Sequence, residues 1–143
     1  MARPSNSANP VPRSHRFVED VIQRELAEPV DRFVADRVQA VVDSILEGYR
    51  ARLDDLIRRG DPSNVVAKEC LDIVSLFKSG VELATDQLRD DAEAELQSAF
   101  EFAATIGATS ELRTYINERI EEAFRSASMI AADEIRPIIE ALR

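Results

Sequence analysis

The feature that most constrains the fold of this chain is a row of apolar residues at helical spacing between Val66 and Ile106. Each member follows the previous one by three or four residues, and the spacing keeps its phase through Gly80. Such spacing puts all members on one face of an amphipathic helix, and its length is typical of elongated bundles and coiled coils. This apolar stripe consists of Val66, Cys70, Ile73, Phe77, Val81, Ala84, Leu88, Ala92, Leu96, Ala99, Ala103 and Ile106.

The composition restricts the class of protein. The chain has 143 residues, of which 45% are hydrophobic and 31% charged, with four glycines and no tryptophan. This composition suits one soluble helical domain and differs from that of disordered chains. No apolar run reaches the roughly 18 residues that a membrane-spanning helix needs, and the N-terminus lacks the apolar stretch of a signal peptide. We therefore expect no membrane contact and a location in the cytoplasm or within a virion.

Helix start and stop signals divide the chain into four predicted helices. The first is short, covers residues 17–26 and ends because Pro29 breaks or bends it. Pro29 also suits the first turn of the second helix. The second runs over residues 30–59, the third over 62–106 and the last over 109–143, with glycines closing the second and third. The predicted fold is all-α: an elongated antiparallel bundle of three long helices plus a short N-terminal helix, with coiled-coil-like packing.

Ser79, Gly80 and Pro137 each permit two shapes for the helix that contains them. Ser79 and Gly80 indicate either a kink in the middle helix or a close contact with another helix, although the unbroken phase favours continuity. Pro137 predicts a kink near the end of the last helix or the start of a separate helix.

Cys70 lies on the apolar stripe, which predicts a small buried side chain rather than an intermolecular disulfide.

The predicted rods differ in length, so the middle helix is expected to overhang its neighbours. Its uncovered apolar face would be shielded by the short first helix or by another copy of the chain, and small residues such as Ala99 bury little area each. We therefore expect a homo-oligomer. The predicted self-association seam consists of Phe77, Val81, Leu88, Leu96 and Phe100.

Charge separates an N-terminal arm from the rest. Residues 1–16 are rich in proline and carry three arginines and no acid, which predicts a flexible basic arm ahead of a single helical-bundle domain over residues 17–143. The remainder has 15 basic and 27 acidic side chains, so an acidic body should repel a phosphate backbone. Three interpretations of the arm stay open: plain disorder, docking onto a neighbouring subunit, and contact with nucleic acid.

Two sets of charged residues are candidate binding surfaces. One set could meet phosphates or an acidic partner, although complementing a helix dipole explains part of it. It comprises Arg3, Arg13, Arg16, Arg50, Arg52, Arg58 and Arg59. The other set predicts an acidic docking face for an arginine-bearing arm, although such runs are often simply solvated. It comprises Glu82, Asp86, Asp90, Asp91, Glu93 and Glu95.

No constellation of residues indicates catalysis. The one histidine, His15, lies in the arm, and no phosphate-binding loop, zinc-protease motif or nucleophile motif occurs. We expect no enzyme and no cofactor, but a non-enzymatic structural or adaptor protein that self-associates and binds other proteins. The first alternative is a nucleic-acid-packaging or coat-type subunit that uses the arm. The second is a carboxylate-rich metal-binding bundle, with Glu118, Glu121 and Glu122 or Glu69 and Asp72 at ligand spacing.

Overall fold

The computed structural model describes residues 15–142, with side chains from residue 16. All secondary structure in that range is helical, which confirms the predicted all-α class there. We refer to residues 15–59 as the N-terminal rod, residues 63–105 as the middle rod and α6 as the C-terminal rod. The α-helices are α1 (His15–Val21), α2 (Ala27–Phe33), α3 (Gln39–Arg59), α4 (Ser63–Glu95), α5 (Gln97–Thr105) and α6 (Thr109–Glu140).

The middle rod lies antiparallel to the N-terminal rod. The rings of Tyr49 and Phe77 have centroids 5.1 Å apart. Further from the turn between the rods, Arg37 Nη2 lies 2.9 Å from Asp91 Oδ2. Residue numbers therefore fall along one rod as they rise along its neighbour.

The C-terminal rod lies antiparallel to the middle rod and parallel to the N-terminal rod. Arg113 bridges to Glu93 over 2.8 Å and Glu121 to Arg89 over 3.1 Å, so numbers again run in opposite directions. The C-terminal rod and the N-terminal rod run in the same direction: Arg119 pairs with Asp31, and the later residue Glu134 pairs with the later residue Arg50. α3, α4 and α6 consequently pack against one another in pairs.

Glycines end two of the rods, as the sequence predicts. Gly60 has φ 65° and Gly107 has φ 67°, the left-handed backbone that residues with a Cβ rarely adopt. After Gly60, Pro62 directly precedes the first residue of α4, and its carbonyl accepts the amide of Val66 at 3.0 Å. These two turns allow successive rods to reverse direction within a few residues.

Substituting Gly60 should show how much its left-handed backbone matters. We expect Gly60→Ala to lower the free energy of unfolding by about 1 kcal/mol, because a Cβ strains this conformation. Gly48→Ala is the control: Gly48 is helical, and an added Cβ would lie 3.7 Å from the Arg52 side chain, an ordinary contact. It should raise the free energy of unfolding by about 0.5–1 kcal/mol. Urea denaturation measures both changes, and equal effects at the two glycines would contradict the assigned backbone.

Pro29 does not end a helix, so the predicted break there is wrong, whereas its predicted place in the first turn of the following helix is confirmed. Two π-helical segments, Ile22–Leu26 and Val34–Val38, join α1, α2 and α3 into one rod. Pro29 is the third residue of α2, within the first turn, where a missing amide donor costs little. Leu26, at φ −117° and ψ −6°, lies at the boundary between the π-helical segment and α2. The rod therefore continues past the proline instead of folding back.

The middle rod is continuous at Gly80 and interrupted elsewhere. α4 passes through Gly80 without a break, whereas Leu96 departs from helical geometry at φ −104° and ψ 33°. The hydrogen bonds from Leu96 N to Ala92 O and from Phe100 N to Leu96 O persist across this interruption. In the C-terminal rod, α6 includes Pro137 and ends at Glu140, so no separate helix begins at the proline.

The apolar stripe is covered within one chain. Eight of its members are buried, and the other four, Val66, Val81, Ala84 and Ile106, are partly buried against the same core. The expected overhang of the middle helix is therefore wrong, because the unbroken N-terminal rod contributes to one continuous core that extends from Val18 to Ile135. The largest fully buried side chains are Leu56, Leu88, Leu112, Ile116, Ile120, Val30 and Val38.

Candidate interaction surface

Ion pairs between rods account for half of the predicted acidic docking face. Arg37 of the N-terminal rod pairs with both Asp91 and Glu95. Arg113 of the C-terminal rod pairs with Glu93 and also lies over the Phe100 ring, 5.6 Å from its centroid. These three carboxylates therefore pair with arginines of neighbouring rods, which the acidic run in the sequence does not reveal.

The other three acids of that face remain on the outside of α4. Asp86 lies 3.6 Å from Arg89, one turn away on the same helix. Glu82 and Asp90 are exposed, and neither forms an ion pair among the described residues. Three of the six predicted acids thus pair between rods, while Glu82, Asp86 and Asp90 follow one another at four-residue spacing on the outside of α4. Their role as a docking face stays a prediction.

Half of the predicted arginine cluster on α3 is engaged within the chain. Arg50 Nε donates to both carboxylate oxygens of Glu134 at 2.9 Å, and this hydrogen bonding raises the pKa of Arg50. Arg59 lies 3.5 Å from Asp55 and 3.8 Å from Glu69. These two arginines already have carboxylate partners.

The remaining arginines do not form one patch on the described surface. Arg52 and Arg58 have no ion pair there, but six residues on one helix separate them by about 120° around its axis. Arg16 is exposed near the start of α1. Arg3 and Arg13 lie outside the described residues, as do residues 1–14 of the predicted arm, whereas His15 and Arg16 belong to α1. Contact between the arm and nucleic acid stays a prediction.

The predicted self-association seam lies inside the chain. Phe77, Leu88 and Leu96 are buried, while Val81 and Phe100 are partly buried against the same core. These five side chains pack against the core of their own chain, so the three buried ones are not exposed to a second copy of this fold. Self-association through Val81 and Phe100 stays a prediction. Cys70 is buried, as predicted, and burial raises the pKa of its thiol.

Tyr49 joins all three rods. Its ring packs edge-on against Phe77, and its hydroxyl donates a hydrogen bond of 2.6 Å to the Ala131 carbonyl of α6. Burial, and then the nearby charges of Glu134 and Cys70, raise the pKa of Tyr49. Since the folded-state pKa lies above the unfolded value, the neutral phenol stabilises the fold at low and neutral pH, and this stabilisation is lost as the pH rises through the folded pKa.

We expect Tyr49→Phe to lower the free energy of unfolding by about 0.5–1.5 kcal/mol at neutral pH, the usual contribution of one hydrogen bond. The difference from the wild type should shrink as the pH rises above about 10, because the wild-type phenol ionises more readily in the unfolded chain. Urea denaturation over a series of pH values measures both effects. A difference independent of pH would contradict the assigned environment of Tyr49.

A groove of about 520 Å³ lies beside Tyr49, between α4 and α6. Val74, Phe77 and Ile135 contribute apolar walls, while Lys78 and Arg136 bring charges to its edge. The sequence gives no sign of this groove, because it forms only where two rods distant in sequence lie side by side. Nothing in the structure identifies what would occupy it.

A second apolar row lies on the outside of α4. Leu76 follows Val65 by 11 residues, close to three helical turns, and Leu83 follows Leu76 by seven residues, close to two turns. The three side chains therefore lie on one side of the helix. They are 36%, 53% and 73% exposed, respectively. We call these three residues the outer row. The sequence signal for it was a spacing of seven residues between two leucines outside the apolar stripe.

The described residues contain no group of three or more histidine, cysteine or acidic side chains arranged to hold a metal ion. Glu69, Glu121 and Glu122, three of the predicted ligands, instead lie beside arginines. No helix between residues 15 and 142 is long and apolar enough to cross a membrane. In comparisons with known proteins, no family model, curated protein or solved structure matches this chain.

Proposed function

We propose that this chain is a non-enzymatic structural or adaptor protein that associates with copies of itself, and with other proteins, through the outer faces of its long helices. The proposal includes an elongated arrangement of three long helices with coiled-coil-like side-chain packing. The observation that carries it is the outer row of α4. Those side chains are large, apolar and exposed. They are distinct from the apolar stripe, whose members pack in or against the core of the same chain.

Isolated apolar residues are common on protein surfaces and need no explanation. The outer row differs because its members share one side of a rigid helix and can be covered together by one partner helix. Covering apolar surface stabilises an interface by about 25 cal/mol per Å², before the cost of association is subtracted. The site therefore supports a binding role of moderate affinity better than a reaction.

Sedimentation velocity across micromolar to submillimolar concentrations tests this proposal. We expect the average mass to rise above the 16.0 kDa of one chain as the concentration increases. A second series at high salt separates apolar association from purely ionic association, since salt screens exposed charges. A mass of 16.0 kDa across the whole range would contradict self-association.

A further inference from the structure

We propose that a second copy of this chain packs antiparallel against the outer row, with a two-fold axis beside the peptide bond between Ser79 and Gly80. This inference rests on the self-association proposed above and identifies the face that mediates it. Three observations on α4 support it: the symmetry of the exposed leucines, the small residues between them and the charges at either end.

The exposed leucines are symmetric about that peptide bond. Leu76 precedes it and Leu83 follows it at equal distance, about 5 Å along the helix axis. In an antiparallel pair related by a two-fold axis, residues equally far from the axis on opposite sides face each other. Leu76 of one copy therefore contacts Leu83 of the other, and the two-fold axis creates this contact twice. Both side chains lie on the same side of their helix.

The small residues between the leucines permit close approach of a second helix. Gly80 has a helical backbone, and apart from its adjacent residues and the nearby backbone of α4, a Cβ added to it would lie within 4 Å of no atom of the described residues. Glycine destabilises a helix interior relative to alanine, yet no side chain between residues 16 and 142 occupies the space that this glycine leaves. α4 also continues through Gly80 without ending there, so the glycine is not a helix terminus. A helix from a second copy would fill that space.

Charges at the ends of this face complement each other in the same register. Lys68 lies about 17 Å before the axis and Asp90 about 16 Å after it. Both are exposed, and neither has an ion pair among the described residues. The antiparallel copy places each lysine near the other copy's aspartate. Asp72 also comes near Asp86 of the second copy, and these like charges predict a weak, reversible dimer.

Apolar substitution tests the face. Leu83→Glu should weaken dimerisation by about tenfold or more, because it places a carboxylate against the partner's Leu76. Leu71→Glu is the matched control, since Leu71 is 72% exposed against 73% for Leu83 and lies on another side of the same helix. Sedimentation velocity measures the dissociation constants, and circular dichroism checks that each variant keeps its helices.

Charge reversal tests the register. Lys68→Glu and Asp90→Lys each place like charges together in a homodimer, so each variant alone should dimerise about tenfold more weakly than the wild type. Mixing the two variants restores both opposite-charge pairs, so the mixture should form a heterodimer close to wild-type affinity. The rescue requires residue 68 of one copy to lie near residue 90 of the other, as this antiparallel register places them.

The outcomes separate the two proposals. A wild-type protein that stays monomeric contradicts both self-association and this face. Suppose that the wild-type protein dimerises, that Leu83→Glu dimerises as tightly as Leu71→Glu, and that mixing the charge variants gives no rescue. That result would contradict this face but leave self-association supported. Selective weakening by Leu83→Glu together with rescue in the mixture supports the antiparallel dimer.

Discussion

Leu88→Ala is expected to lower the free energy of unfolding by about 2–5 kcal/mol, the usual cost of truncating a fully buried leucine. Leu88 is 1% exposed and belongs to the core shared by the three rods. The substitution removes buried apolar surface and leaves a cavity where the rods meet. Urea denaturation, followed by circular dichroism at low protein concentration, measures the change.

Leu71→Ala is the matched control for Leu88→Ala. Leu71 occupies the same helix but is 72% exposed. Its truncation should change the free energy of unfolding by no more than about 0.5 kcal/mol, as is usual for surface positions. Similar losses for the two leucines would mean that the face of α4 assigned to the core is wrong.

The second large effect is expected at the end of the middle rod, where Ala103 is fully buried. Ala103→Asp should cost about 3–5 kcal/mol, because it buries a carboxylate without a partner. It should therefore unfold much of the protein at moderate temperature. Thermal denaturation followed by circular dichroism measures the loss.

The neighbouring exposed alanine provides the control for Ala103→Asp. Ala104→Asp introduces the same charge one residue later, where the side chain reaches solvent. It should cost less than about 1 kcal/mol, mainly through the lower helix propensity of aspartate. If Ala104→Asp proved the more damaging of the two, the inward face of α5 would have to be reassigned.

The local features of this fold could be predicted from the sequence. The three-to-four spacing from Val66 to Ile106 identifies the inward face of the middle rod, since helical geometry alone determines which residues share a side. The turns at Gly60 and Gly107 follow from glycine's access to positive φ. Both signals arise from neighbours along the chain, where backbone geometry leaves few alternatives.

Pro29 shows where a local rule fails. Proline disfavours a helix interior, yet here a π-helical segment precedes it and places it in a first turn. Ile22 and Leu26 belong to this π-helical segment, and both side chains are buried in the core. Sequence rules count the local cost of proline but not the burial that a continuous rod gains, so the predicted break, and with it the overhang of the middle helix, was wrong.

The candidate surface was harder to predict because it depends on which residues meet across rods. Arg37 and Asp91 are 54 positions apart, and no local pattern links them. Until the register of the rods is known, paired and free acids look alike in the sequence. The seam built on Phe77 and Leu88 fails for the same reason, since an apolar stripe predicts burial but not which rod, or which copy, provides the cover.

Tyr49 and Phe77 test most directly whether one chain closes its own core. Their ring centroids are 5.1 Å apart, close enough for nuclear Overhauser effects between ring protons. We predict that these effects appear in a uniformly labelled sample and vanish in an isotope-filtered experiment on mixed labelled and unlabelled chains, which detects only contacts between copies. Strong effects between Tyr49 and Phe77 in that filtered experiment would contradict the intramolecular core and show that the rods are shared among chains.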